Sequence, residues 1–232
     1  LQSNARLYLY PDHDARQRPL LVIGMPGWGG RADKFIWTLI SGLDRPGLRR
    51  RLVLASIQDT DSGGPTYQGQ GDRAHANQWH VTRRSVAVMR HFVTTVARRL
   101  GRRPVVYLVG FSTGSVFAPS FAGHLGRTAD YEVEGAVSLG TWSNVPAERL
   151  TEHDQRLLFL VVPPRTRADD EPLRDDQYNR RQAERSHERL AAAGARVHLR
   201  HIVSARRHVD WHWGLISQCR YFPRQADPGR GY

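Results

Sequence analysis

Ser112 stands at the centre of Gly110-Phe111-Ser112-Thr113-Gly114, a set of residues suited to covalent chemistry. A serine hydroxyl is a weak nucleophile unless a base removes its proton and hydrogen-bond donors stabilise the oxyanion that follows. An apolar run at 105–109 precedes the pattern, and an apolar, small-residue stretch follows Gly114. Ser112 is therefore expected at the apex of a very tight turn between a buried strand and a helix. Such a turn projects the side chain clear of the sheet and beside the free backbone N–H groups of a helix N-terminus. Glycines flank the apex, as they must where a Cβ would collide with a neighbouring strand or helix.

The elements that would position this serine alternate along the whole chain. Strands are expected at 6–10, 20–25, 51–57, 105–109, 133–139, 157–162 and 196–203. Helices are expected at 32–43, 80–100, beyond Ser112, at 177–193 and from near Trp211. That alternation predicts one α/β domain with a mostly parallel central sheet and helices on both faces. The domain is placed at 6–223, with a Gly/Pro-containing tail at 224–232. Residues 1–5 read as the remnant of an engineered protease site. The chain lacks an initiator Met, which favours a secreted or periplasmic protein over a cytoplasmic one as an expectation. The segment 59–77 is rich in Gly, Asp, Pro and Gln, and its length marks it as a functional loop.

Gly-x-Ser-x-Gly in a strand–turn–helix setting resembles the nucleophile elbow of the α/β-hydrolases, and the chain resembles a small, lidless, serine esterase-like member of that superfamily. Hydrolases of this type often insert a helical lid before the strand at 157–162; only 140–156 is available here, too short for a lid domain. The resemblance implies a single-domain α/β-hydrolase fold and cleavage of a carboxylic ester, or a related acyl bond, through an acyl-enzyme. It also implies the order Ser, then Asp or Glu, then His, each on a loop leaving the carboxyl end of a strand. Two histidines follow the last expected strand. His208 is preferred because its loop can swing over Ser112, whereas His212 falls in the final helix; His212 remains the alternative. Asp169, Asp170 and Glu171 crowd the loop after 157–162. Asp170 is preferred because Asp-x-Pro-Leu resembles the family's Asp followed by a Pro-containing turn, with Asp169 next. The oxyanion donors would be the backbone N–H groups of Thr113 and of Trp28, the latter in the glycine-rich 24–30 segment. Pro26 stands there where the family commonly has His. No cofactor is needed and no metal set is formed. The same triad would serve an acyltransferase, a thioesterase or a peptidase, and a non-catalytic member would use the cleft to bind an acidic partner.

Composition narrows the classes further. The 232 residues suffice for one full domain and little more. No apolar run reaches the length of a membrane span. Cys219 is the only cysteine, so no internal disulfide can form. The net charge of +12 is almost entirely arginine, Lys34 being the only lysine. The arginines are scattered in pairs along the chain and no nucleic-acid-binding module accompanies them. The expected partner is a small-molecule acyl substrate, not a nucleic acid.

Overall fold

Among the described residues seven strands form one sheet: β1 (Ala5–Leu9), β2 (Leu20–Met25), β3 (Leu52–Ile57), β4 (Val105–Phe111), β5 (Glu132–Leu139), β6 (Arg156–Val161) and β7 (Arg196–His201). The computed structural model describes residues 5–27, 31–44, 46–58, 81–140, 143, 145–161 and 174–201. The strand order is β1-β3-β2-β4-β5-β6-β7. Only β1 runs antiparallel, along β3 at the edge; all other neighbours are parallel. β2 and β3 are buried at every position, and both are apolar apart from Ser56 and Gly24. Such unbroken runs are what strands covered on both faces require.

Among the described residues six helices are interspersed: α1 (Ala32–Leu43), α2 (Pro46–Arg49), α3 (Arg83–Arg99), α4 (Thr113–Leu125), α5 (Ala147–Thr151) and α6 (Arg174–Ala192). α1 lays Phe35, Ile36, Leu39 and Leu43 over Val22, Leu54 and Tyr107 on one face of the sheet. On the other face, Met89 and Val93 of α3 and Phe121 of α4 pack over Ile23, Ala55 and Leu108. This is a mostly parallel sheet with helices on both faces, as the alternation of elements predicts.

The differences from expectation are local and have local causes. α3 begins at Arg83 because Thr82 caps it: its Oγ1 accepts the Ser85 N–H at 3.0 Å, and the Ser85 hydroxyl accepts the Thr82 N–H at 2.8 Å. α2 and α5 span four and five residues, too short to display a helical period. The segment 140–156 holds α5 and no larger insertion among its described residues. The loop at 59–77, the helix expected from Trp211 and the tail lie outside the described residues. No described helix is long and apolar enough to cross a membrane.

One feature of the strand order locates a crevice. From β2 the chain passes outward to β3, then returns across β2 to β4. Connections on either side of β2 and β4 therefore leave in opposite directions. In open parallel sheets, ligands bind outside the carboxyl ends of strands at such a reversal.

Candidate active site

The carboxyl end of β4 carries Ser112 into that crevice. Ser112 has φ 51° and ψ −120°, a left-handed backbone conformation that costs a non-glycine residue roughly 1–3 kcal/mol. It follows Phe111, the last residue of β4, and precedes Thr113, the first of α4. Among the described residues only Asp154 shares a positive φ without being glycine. The Ser112 N–H donates to the Leu139 carbonyl of β5 at 3.1 Å, which ties the turn to the neighbouring strand. Ser112 is half-buried.

The flanking glycines are required sterically. A Cβ on Gly110 would lie 2.2 Å from the Gly114 carbonyl oxygen and 2.5 Å from Ser115 Cα. One on Gly114 would lie 2.1 Å from the Met25 carbonyl oxygen. No packing adjustment accommodates such contacts with backbone. Their absence lets α4 start directly over β4 and against the end of β2. Gly27 is equally close: a Cβ there would be 2.8 Å from Ser112 Cβ. The Pro26–Gly27 backbone thus runs beside the serine, and the next residue in the chain is Trp28. Beneath, Phe111 stacks on Phe35 of α1, ring centroids 6.4 Å apart and planes 26° from parallel.

Hydrogen bonds under the serine are dense. The Ser112 carbonyl accepts both the Ser115 N–H, at 2.9 Å, and the Ser115 hydroxyl, at 2.6 Å. The Ser115 carbonyl in turn accepts the hydroxyl of Ser138, on β5, at 2.9 Å. Ser115 and Ser138 are both buried. The Thr113 hydroxyl is buried too and meets no hydrogen-bond partner among the described residues. On the far side of β5, the Ser143 carbonyl accepts from the Ser186 hydroxyl and from Arg189, which anchors that loop on α6.

Of the sequence-derived site residues, Ser112 and Thr113 come together at this turn. Trp28, Asp169, Asp170, His208 and His212 lie outside the described residues. Ser115, Ser138 and Gly27 were not singled out by sequence. Pro119 is a legible signal for Ser115, because a proline inside a helix leaves the carbonyl four residues earlier without its usual donor; nothing local points to Ser138. Among the described residues, no group of His, Cys, Asp and Glu is assembled to hold a metal ion.

No family model matches the sequence, and no curated protein matches it. Solved structures do match in fold. Esterase PE8 superimposes with a TM-score of 0.61 at 14% identity, over 96% of this chain and 100% of that one. An IroE-like serine hydrolase from Shewanella oneidensis gives 0.59 at 14% identity, covering 95% and 79% respectively. Acyl-protein thioesterase 2 from Zea mays gives 0.51 at 15% identity, covering 94% and 96%. The chain has the α/β-hydrolase fold.

Proposed function

We propose that this protein is a serine hydrolase that cleaves a carboxylic ester, or a related acyl bond, with Ser112 as nucleophile. The observation that carries the reading is the backbone of Ser112, held at positive φ at the apex of a strand–turn–helix in the switch-point crevice. Strain of this kind persists only where the surroundings enforce it, and it accumulates at working sites. That solved structures of like fold include esterases and a thioesterase supports the same class.

The mechanism follows from the chemistry of the proposed groups. Ser112 Oγ attacks the acyl carbonyl while His208 accepts its proton. Asp170 fixes the imidazole tautomer and orientation. The N–H groups of Thr113 and Trp28 stabilise the oxyanion, and collapse of the tetrahedral species expels the alcohol, which takes the proton from His208. Water, activated by the same histidine, then releases the acid and restores the serine. No cofactor takes part in these steps.

Labelling with a fluorophosphonate probe tests the class. The native protein is expected to label and Ser112→Ala not to; an unlabelled native protein refutes the reading. Turnover of p-nitrophenyl acetate tests the base. His208→Ala is expected to lower kcat by roughly a thousandfold or more while His212→Ala retains most of it. The opposite pattern assigns the base to His212.

A further inference from the structure

Pro119 lies inside α4 and has no N–H to offer the carbonyl four residues earlier, which is that of Ser115. The Ser138 hydroxyl supplies the missing donor from β5. The exchange is possible because Ser138 is paired with Gly110, whose lack of a side chain lets the first turn of α4 settle onto the sheet. Ser115, thus held, turns both its N–H and its hydroxyl onto the Ser112 carbonyl.

That carbonyl belongs to the same peptide unit as the Thr113 N–H. In a planar trans peptide the two point in opposite directions. Donors that draw the Ser112 oxygen inward along α4 therefore aim the Thr113 N–H outward, off the helix N-terminus and into the crevice. We propose that Ser115, backed by Ser138, is the positioning residue that aims the Thr113 N–H at the oxyanion. This rests on Ser112 being the nucleophile. Both residues are buried, so losing either hydroxyl removes a donor at a place where water does not replace it, and after loss of the Ser115 hydroxyl the Ser112 carbonyl keeps the Ser115 N–H.

The test compares the full native chain with Ser115→Ala, Ser138→Ala and the double variant Ser138→Ala/Pro119→Ala. Each is measured for labelling rate with a fluorophosphonate, inhibition by an aryl trifluoromethyl ketone, KM for p-nitrophenyl acetate, and thermal midpoint. The ketone forms a charged tetrahedral adduct on the serine, so its affinity reports the oxyanion donors directly. Ser115→Ala is expected to slow labelling and weaken ketone inhibition in parallel, by about tenfold to a hundredfold, with KM unchanged. Ser138→Ala is expected to act in the same direction and less, and it carries the test if Ser115→Ala does not fold. The double variant is expected to recover to within about threefold of native, because alanine at 119 restores a backbone N–H for the Ser115 carbonyl. A shift in thermal midpoint alone, with labelling and inhibition unchanged in both single variants, overturns the proposal. So does a double variant as impaired as Ser138→Ala. An unlabelled native protein removes the nucleophile itself, and is thereby distinguished from a failure of the positioning role.

Discussion

Ser112 sets a backbone cost in stability against the chemistry proposed for it. Its φ of 51° suits glycine and not serine. Ser112→Gly should therefore raise the stability of the protein, by about 1 kcal/mol, while removing the hydroxyl proposed as nucleophile. A higher denaturant midpoint together with complete loss of fluorophosphonate labelling is the expected pair of results. Unchanged or lower stability would mean that the turn is not strained in the native state. The serine and its two glycines were legible in the sequence because the pattern is contiguous. The Ser138 contact was not, since residues 115 and 138 meet only through the β4–β5 pairing and the missing donor of Pro119.

The element that makes the turn workable is the junction of β2, β4 and α4. β2 and β4 end in register, Met25 opposite Gly110, and α4 begins in the space that Gly114 leaves against the Met25 carbonyl. Gly114→Ala forces that Cβ into backbone at 2.1 Å, so either the helix start or the end of β2 must move. A loss of about 3 kcal/mol or more is expected in urea unfolding, with labelling of Ser112 reduced in whatever fraction still folds. An Ala variant as stable as the native chain would contradict the packing described. The strands and long helices were readable from periodicity, and β2 and α1 matched it to the residue. α2 and α5 were not, because four or five residues do not complete a pattern. The start of α3 shifted to the capping box, whose third helical position carries Ser85 in place of the more recognisable Glu or Gln.

Across the whole molecule, folding gathers charges that the sequence disperses. Arg18, Arg103 and Arg127 come from three separate segments and converge on Glu132 at the amino end of β5, opposite Ser112. Arg18 and Arg127 approach its carboxylate at 2.6 and 2.7 Å. Arg98 pairs with Asp130 nearby, and Arg102 donates to the Arg16 carbonyl. Burial pushes the Glu132 carboxyl up, but the guanidinium groups outweigh it and hold its pKa below the usual value. A depressed carboxylate contributes stability above its unfolded pKa and loses it as pH falls through the folded one. The native protein should thus exceed Glu132→Gln by about 1–3 kcal/mol near pH 7, discounted towards the low end because the arginines are half exposed. The gap should close as pH falls from about 5 to below 4. Urea titrations of both proteins across that range check it; a gap independent of pH would show that the carboxylate charge is not the stabilising feature.

The sequence by itself determined the class of fold and the tight strand–helix turn at Ser112, because both rest on short-range order: apolar runs, helical period, and glycines adjacent to the serine. Neighbours in the chain are neighbours in those features. What only the tertiary structure decided lies in pairings between distant segments. The order β3-β2-β4 sets the crevice. The approach of Gly27 to Ser112 places the Pro26–Gly27 backbone beside the serine. The Ser138–Ser115–Ser112 chain of hydrogen bonds, and the arginines around Glu132, exist only once the sheet has formed. Sheet registry brings residues together across tens of positions, and no local pattern encodes which of them will meet.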